Sequence, residues 1–286
     1  MRKQSFKSYL RKVLSEEEIS ELKSSLEIIG NIAILKLPEK LDSKKEVISK
    51  AILELNKNVK TVLKQSTPVN GEFRTRNFEW IAGEKQTETV YKEHGCMFKL
   101  DVSKVYFSPR LQFERLRIAQ LVKPGETIIN MFAGVGSFSI ILAKKSKPLK
   151  VYSIDLNPTA IQYLKENIRL NKVENIVIPM LGDAKELINS QLMGVADRVL
   201  MPLPAKAYEY LPDAIKSLKN RSGWIHYYDF IYTTKDEDPK QKVVEKVSSR
   251  LDDVDFSIQN SRIVRSVGPN WYQVVLDIFV GKGSQP

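Results

Sequence analysis

The segment MFAGVGSFSI (131–140) contains residues that could bind a nucleoside cofactor. Gly134 and Gly136 allow close approach of the backbone to a ligand, where a strand ends and a helix N-terminus offers free N–H groups. Asp155 ends the next strand, where a carboxylate can accept hydrogen bonds from both hydroxyls of a ribose. Asp183, which follows a third strand, could meet an adenine amino group. These three strand ends predict a nucleoside site at one edge of a parallel sheet.

The glycine spacing distinguishes two kinds of cofactor. A nicotinamide dinucleotide site needs a third glycine, and Ser139 occupies that position. No Arg or Lys adjoins the loop to bind a pyrophosphate. A short glycine loop is better suited to S-adenosylmethionine, which has no phosphate. The alternative is a glycine turn followed by two surface aspartates.

The segment YFSPRLQFERLRIAQLV (106–122) could supply a general base. Glu114 lies among arginines that include Arg117, in a stretch predicted to be helical from Glu114 onward. Neighbouring guanidiniums keep a carboxylate ionised, which suits a base that takes a proton from a weakly acidic N–H. Tyr106 and Arg110 lie on the same side as Glu114 if the turn is helical. A surface salt bridge on a linker helix explains the same residues, so both interpretations stay open.

The segment MPLPAKAY (201–208) ends the fourth strand of the series. Many methyltransferases of amino or ring nitrogens have an Asn-Pro-Pro-like loop here, whose oxygens accept hydrogen bonds from the nucleophile. Pro202 and Pro204 supply rigidity, but the segment has no side-chain acceptor. Acceptor chemistry would therefore depend on backbone carbonyls or on another residue, unless the prolines only end the strand.

From residue 126 onward, strand and helix signals alternate, which predicts a parallel sheet with helices on its faces. The last two strands, SIQNSRIVRS and YQVVLDIFVG, have no helix between them and should pair antiparallel across a Gly268-Pro269 turn. A mainly parallel sheet that ends in an antiparallel hairpin is the layout of class I methyltransferases. We therefore predict a Rossmann-like α/β methyltransferase domain over residues 106–286.

Residues 1–105 predict a smaller α+β domain. Ser15 and Glu18 have the spacing of a capping box, so a helix is expected over 15–30, ended by Gly30. The further elements expected in this domain are a strand over 31–37, a helix over 42–58, a strand over 59–65, and antiparallel strands over 73–83, 87–95 and 96–108.

Composition limits the class of protein. The chain has 286 residues, a formal net charge of +11, 42% hydrophobic and 28% charged residues, values typical of a globular protein. One cysteine, Cys96, and two histidines argue against a disulfide or a zinc site. No secretory or membrane-spanning pattern is evident, so a cytoplasmic protein without metal is expected. The basic excess attracts polyanions, although it also serves solubility.

Several segments together resemble one family: FSPRL, ER-x-R-I-A, MFAGVG-x-FSI, IDLNP, LNKVEN and HYY. This is the archaeal and eukaryotic family of tRNA (guanine-37 N1)-methyltransferases, and the resemblance extends over nearly the whole chain, including GEFRTR (71–76). It implies S-adenosylmethionine as cofactor and the anticodon-loop region of tRNA as partner. It also implies that residues 1–105 contact tRNA, and a monomer is expected.

The resemblance assigns roles to particular residues. Glu114 would be the general base on guanine N1, Arg74 would hold the target guanine, and Arg110 would contact the substrate or its phosphate. Phe113 or Tyr106 could support the unstacked base. The cofactor-binding residues that it implies are Tyr106, Phe132, Gly134, Val135, Gly136, Asp155, Leu156, Asp183 and Pro202.

Alternatives within the resemblance remain open, because the family's Asn-Leu-Pro is Pro202-Leu203-Pro204 here. One related branch methylates the tricyclic wyosine precursor at ring carbon 7, alone or together with guanine N1, and HYYDF (226–230) resembles that branch. A second relative is the aminocarboxypropyl transferase of wyosine synthesis, against which Arg110 in FSPRL argues. A tRNA-binding module without catalysis is the contrasting class, and Asp155 with the glycine loop argues against it.

Overall fold

The computed structural model describes residues 9–11, 14–22, 26–69 and 71–281. The chain divides into two units, Met1–Arg110 and Leu111–Pro286. Each unit has its own hydrophobic core.

The second unit is built on a seven-stranded sheet with the order β12-β13-β11-β10-β7-β8-β9. Its strands are β7 (Thr127–Asn130), β8 (Lys150–Asp155), β9 (Val177–Leu181), β10 (Arg198–Met201), β11 (Gly223–Tyr232), β12 (Phe256–Gly268) and β13 (Trp271–Val280). The five strands from β11 to β9 are parallel, and β13 pairs antiparallel with both β11 and β12. The predicted class I methyltransferase fold is confirmed, including its terminal antiparallel hairpin.

Helices connect these strands and cover the sheet. They are α3 (Gln112–Leu121), α4 (Ser137–Lys145), α5 (Pro158–Asn171), α6 (Ala184–Leu187), α7 (Ala207–Ser217) and α8 (Pro239–Ser248), with a π-helical turn over Ile188–Leu192 after α6. Short polar side chains fix where several of them begin. Asn157 caps α5 and Asp183 caps α6, each accepting hydrogen bonds from backbone N–H groups of the first turn.

The first unit contains a four-stranded sheet with the order β1-β2-β3-β4 and a separate hairpin. Its elements are α1 (Glu16–Leu22), β1 (Leu26–Ile29), β2 (Ile32–Leu35), α2 (Lys45–Leu55), β3 (Thr61–Gln65), β4 (Phe78–Gly83), β5 (Glu88–Glu93) and β6 (Cys96–Asp101). The strands β2 and β3 are parallel, whereas the pairs β1–β2, β3–β4 and β5–β6 are antiparallel.

The single helix expected over 15–30 is wrong in its second half. Residues 26–29 form β1, which pairs antiparallel with β2 through a two-residue turn at Gly30 and Asn31. Gly30 has φ +59°, and a Cβ there would lie 2.6 Å from the carbonyl oxygen of Val90. This glycine therefore turns a hairpin. Residues 23–25, which the helix was also expected to include, lie outside the described residues.

Other expected elements differ in extent: the strand expected over 96–108 ends at Asp101, and two further elements begin at other residues than expected. The strand expected over 73–83 begins only at Phe78, because residues 71–74 form a turn in which Arg74 has φ +54°. The helix that contains Glu114 begins at Gln112, after a single 3-10 turn over Pro109–Leu111. Tyr106 therefore precedes any helical turn, and the condition for a common helix face with Glu114 is not met.

Among the described residues, no helix is long and apolar enough to cross a membrane. The same part of the chain contains no group of three or more His, Cys, Asp or Glu side chains arranged to hold a metal ion.

Candidate functional site

The glycine loop lies between β7 and α4, as the sequence predicted. Gly136 has φ +89°, and a Cβ at this position would collide with the side chain of Leu164 on α5. The amide Nδ2 of Asn167 donates to the carbonyl oxygen of Val135 at 3.0 Å, which ties the loop to the same helix. The loop conformation is thus fixed by packing against α5 and requires glycine at 136.

Asp155 lies at the carboxyl end of β8, facing the glycine loop. Its Oδ2 accepts the N–H of Gly134 at 2.7 Å, and its Oδ1 accepts the N–H of Asn157 at 2.9 Å. Burial raises the pKa of this carboxyl, and the two N–H donors oppose that rise. Each carboxylate oxygen has two lone pairs, so one remains on each for a ligand hydroxyl. Leu156, the next residue, is 39% exposed.

Ser139 has a structural role that the sequence did not reveal. In the interior below the loop, its Oγ accepts a hydrogen bond from Asn130 Nδ2 at 3.1 Å and lies 2.7 Å from Ser153 Oγ. All three side chains are buried, so this chain of hydrogen bonds joins β7, α4 and β8. The residue in the place of the third dinucleotide glycine therefore connects the elements that support the loop.

Asp183 follows β9, the third predicted strand end. Its Oδ1 accepts the N–H of Lys185 at 2.8 Å as the cap of α6, and its Oδ2 accepts the hydroxyl of Tyr210. The ring of Tyr210 packs edge-to-face on Phe132, with centroids 5.3 Å apart. Sequence reasoning missed Tyr210, because its link to Asp183 exists only in the tertiary structure.

The loop after β10 contains the two prolines in question. The carbonyl oxygen of Leu203 accepts the N–H groups of Lys206 and Ala207, both at 3.0 Å, and so begins α7. Pro202 is half-buried and Pro204 is buried. The segment thus both ends a strand and starts a helix, and the only hydrogen-bond acceptors of Pro202–Pro204 are backbone carbonyls.

Glu114 is buried on α3, with only 2% of its surface exposed. Arg117 binds it through two parallel bonds, Nη2 to Oε1 at 2.8 Å and Nε to Oε2 at 3.0 Å. The hydroxyl of Tyr228 on β11 donates to Oε1 at 2.7 Å. The interpretation of this residue as part of a surface salt bridge is therefore wrong, because the carboxylate lies in the interior.

The hydrogen bonds continue beyond Arg117. Arg117 Nη1 donates to Asp277 Oδ2 at 2.6 Å, and His226 Nδ1 lies 2.6 Å from Asp277 Oδ1. Arg198 Nη1 lies 2.7 Å from His226 Nε2 and pairs through Nε with Glu126 Oε2 at 2.7 Å. We call this set the Glu114 network, and its members are Glu114, Tyr228, Arg117, Asp277, His226, Arg198 and Glu126.

The network determines the protonation of His226. Because a guanidinium only donates, Nε2 must accept from Arg198, and the proton must therefore be on Nδ1, which donates to Asp277. Burial lowers the pKa of His226, so the neutral form agrees with this assignment. Burial opposes charge on Arg117 too, but its bonds to Glu114 and Asp277 outweigh burial and raise its pKa.

Sequence reasoning found Glu114 but missed most of its partners. The segment HYY contributed to the family resemblance, yet nothing local indicated that Tyr228 would meet a residue 114 positions away. Asp277 carried a weak signal, because it is the single charged residue in the apolar strand WYQVVLDIFV.

The first unit contains the other residues that sequence analysis selected. The Arg74 guanidinium stacks over the Tyr106 ring, 5.0 Å from its centroid, and Arg74 Nε is buried with no hydrogen-bond partner among the described residues. Partial desolvation lowers the pKa of Lys36, and the nearby charges of Arg76 and Arg110 lower it further, whereas the carboxylate of Glu27 opposes this. Arg76 is paired with Glu27 at 3.1 Å.

Several cations of this unit form no ion pair with any residue that the structure describes, and three of them are grouped by the Tyr106 stack and by the charge interaction of Lys36 with Arg110. We call them the basic cluster, and they are Lys36, Arg74 and Arg110. In the second unit, Phe113 is 73% exposed, so its ring is available to a ligand.

Comparison with known families covers both units. A family model described as the TRM5/TYW2 methyltransferase domain matches residues 89–259. A second model, described as the TYW2 N-terminal domain, matches residues 6–87.

Individual relatives cover nearly the whole chain. The tRNA (guanine(37)-N(1))-methyltransferase Trm5b of Pyrococcus abyssi is 44% identical over 91% of this chain and 76% of its own length. The tRNA 4-demethylwyosine(37)-methyltransferase Taw21 of Saccharolobus solfataricus is 40% identical over 95% of this chain and 98% of its own length. Among solved structures, TYW2 of P. horikoshii in complex with MeSAdo has a TM-score of 0.77 at 30% identity, covering 97% of this chain and 98% of that one.

Proposed function

The chain belongs to the TRM5/TYW2 methyltransferase family, whose cofactor is S-adenosylmethionine, and we propose that it methylates the purine at position 37 of tRNA, with guanine N1 as the acceptor. This is the activity in the name of the P. abyssi relative, which is 44% identical. The predictions of a methyltransferase fold and of a tRNA-modifying enzyme family are confirmed by the comparisons.

The observation that carries the choice of acceptor is the environment of Glu114. Guanine N1 bears a proton that must be removed as the nitrogen becomes a nucleophile, and this needs an ionised carboxylate. Arg117 and Tyr228 donate three hydrogen bonds to Glu114, which fix the position of its carboxylate. We assign Glu114 as the general base.

The donors and acceptors at the strand ends fit S-adenosylmethionine. Asp155 would accept from the ribose hydroxyls, Asp183 from the adenine amino group, and the Phe132–Tyr210 pair offers apolar ring surface. Bound S-adenosylmethionine supplies an electrophilic methyl group on a sulfonium, and the electron pair of the broken bond stays on sulfur. Gly134, Val135 and Gly136 would line the cofactor with backbone groups.

The basic cluster of the first unit would bind the RNA. Cations without carboxylate partners gain most by contact with phosphates, since no internal ion pair has to break. Arg74 has a buried donor, Nε, without a hydrogen-bond partner in the described part of the chain, as expected of a group completed by a ligand. We assign Arg74 and Arg110 to substrate contact and keep the predicted cofactor contact of Tyr106 as part of the proposal.

The test uses labelled S-adenosylmethionine and two unmodified tRNA transcripts, with guanosine or adenosine at position 37. Nucleoside analysis by mass spectrometry identifies the product. We expect N1-methylguanosine from the first transcript and no product from the second. Methylation of both transcripts, or of another nucleotide, would contradict the proposal.

A second candidate is methylation of the tricyclic wyosine precursor at ring carbon 7. Two observations favour it: the loop Pro202–Pro204 has no side-chain acceptor for an N–H, and the Taw21 relative matches this chain over 98% of its own length. A tRNA that already carries the precursor is the matched substrate. Methyl gain there, with none on the guanosine transcript, would establish the second candidate, and an aminocarboxypropyl adduct would identify the transferase alternative.

The variant Pro202→Asn separates the two candidates further. It restores the amide of the family's usual loop without touching Glu114 or Asp155. If Pro202 directs the enzyme away from nitrogen, the variant should raise the ratio of N1-methylguanosine to carbon-methylated product. An unchanged ratio would show that the loop does not select the acceptor.

A further inference from the structure

Strand β11 carries two adjacent tyrosines that make the same kind of hydrogen bond on opposite faces of the sheet. Tyr227 and Tyr228 are both fully buried. Tyr227 donates its hydroxyl to Asp229 Oδ2 at 2.8 Å, and Tyr228 donates to Glu114 Oε1 at 2.7 Å. Burial and the neighbouring carboxylate raise the pKa of both phenols, so both remain donors. The two residues differ in the carboxylate that accepts their hydrogen bond, which is Asp229 for Tyr227 and Glu114 for Tyr228.

The hydrogen bonds at Glu114 are distributed unequally between its two oxygens. Oε1 accepts from Tyr228 and from Arg117 Nη2, which uses both of its lone pairs. Among the residues that the structure describes, Oε2 accepts from Arg117 Nε alone, and the guanidinium of Arg262 lies 3.6 Å away, beyond a normal hydrogen bond. One lone pair of Oε2 is therefore left to take a proton.

We propose that Tyr228 is a positioning residue that directs the base function of Glu114 to Oε2. The hydroxyl saturates Oε1 and, with the Arg117 fork, fixes the rotation of the carboxylate plane. In the proton step, the N1–H bond of guanine breaks, its electron pair stays on N1, and a new O–H bond forms at Oε2. The inference rests on the proposed function of Glu114 as the base.

The charged and titratable groups around Glu114 come from every strand that faces it. They are Arg117 on α3, Tyr228 and His226 on β11, Arg262 on β12 and Asp277 on β13. Helix α4, which also packs on α3, contributes the ring of Phe138 against Tyr228, with centroids 6.2 Å apart. Of these groups, Tyr228 is the one whose hydrogen-bond donor can be removed by deleting a single oxygen atom, as in the substitution Tyr228→Phe.

The experiment compares Tyr228→Phe with Tyr227→Phe in the full chain. Each variant removes one buried hydroxyl bonded to one carboxylate, so the two are matched in chemistry and burial. Single-turnover methylation of saturating tRNA is measured across pH. We expect Tyr228→Phe to lower the rate at neutral pH by about 10-fold and to shift the acidic limb of the profile upward, because Glu114 loses one of the three hydrogen bonds that hold its carboxylate. Tyr227→Phe should follow wild type.

A structural effect alone predicts a different result. A fixed inactive fraction lowers the rate by the same proportion at all pH values, and circular dichroism at each pH measures the folded fraction, so that the rates can be corrected for unfolding in acid. An unshifted acidic limb in Tyr228→Phe, or equal shifts in both variants, would overturn the inference. Glu114→Gln is run beside them: if it keeps full activity, the proposed base is wrong, which is distinguishable from a failure of Tyr228 alone.

Discussion

Two groups of charged residues, one in each unit of this protein, differ in how their charges are compensated. In the second unit, the Glu114 network joins three carboxylates to two guanidiniums in largely buried surroundings, and every member donates to or accepts from another. In the first unit, the three cations of the basic cluster form no ion pair among the described residues. Internal compensation holds groups in place, whereas uncompensated charge is available to a ligand. We therefore expect the first kind of charge to position the chemistry and the second kind to bind RNA.

The largest expected effect comes from removing the charge at the centre of the network. Glu114→Gln keeps the shape but takes away the base, so single-turnover methylation should fall by about 10²-fold or more. Affinity for S-adenosylmethionine, measured by calorimetry, should stay within a few-fold of wild type. Turnover near the wild-type rate would show that the Glu114 network has only a structural role, and the contrast with the basic cluster would no longer concern catalysis.

A smaller effect is expected in the basic cluster. Arg74→Met removes a cation whose only described contact is the stack on Tyr106, so tRNA affinity should fall by about tenfold. Thermal stability should change little, because no ion pair is broken. Arg74→Lys is the control: it keeps the charge and loses the planar guanidinium, so recovery of affinity would indicate phosphate contact, and no recovery would indicate base contact.

Lys36 should have a weaker but diagnostic effect. If it neutralises one phosphate, Lys36→Met should reduce the slope of log affinity for tRNA against log salt concentration by about 1. The matched control is Lys60→Met, since Lys60 in the same unit is already paired with Glu84 at 3.6 Å. Equal slopes in the two variants would mean that pairing does not predict RNA contact.

The smallest expected effect is the pH dependence of stability that the network imposes. The pKa of His226 is lowered in the folded state, so the unfolded chain binds more protons as pH falls through about 6.5 and folding loses free energy there. The pKa of Asp277 is also lowered, because bonds from His226 and Arg117 outweigh its burial, and this adds a loss at lower pH. His226→Gln should flatten the decline by roughly 1 kcal/mol between about pH 7.5 and 5.5, as measured by chemical denaturation. A decline as steep as in wild type would assign the loss to other groups.

The sequence predicted the second unit better than the first, for a physical reason. Buried parallel strands and their helices have strong local patterns, so the sheet, the glycine loop and the positions of Asp155 and Asp183 could be inferred. Strand β1 has no such pattern: Leu26–Ile29 continues a helical periodicity, and only pairing with β2 makes it a strand. Tertiary pairing overrode local preference there.

The candidate site was predictable to a similar extent. Glu114 was identifiable from its neighbours, and its burial was not, because burial depends on strands that lie more than one hundred residues later in the chain. Tyr228 was missed for the same reason, and Tyr210 because its bond to Asp183 joins two separate elements. Ser139 was recognised only as a missing glycine, while its hydrogen bonds to Asn130 and Ser153 required three separate elements to come together.

The alternation of side chains along β11 has a consequence for how this protein can change over evolution. Neighbouring residues of a strand point to opposite faces, so HYYD is two interleaved pairs rather than one motif. His226 and Tyr228 form hydrogen bonds with Asp277 and Glu114, respectively. On the other face, Asp229 accepts from Tyr227 and from Lys246 at 2.6 Å. In related sequences, substitutions at 226 and 228 should therefore accompany substitutions of Asp277 and Glu114. Substitutions at 227 and 229 should occur independently of those at 226 and 228.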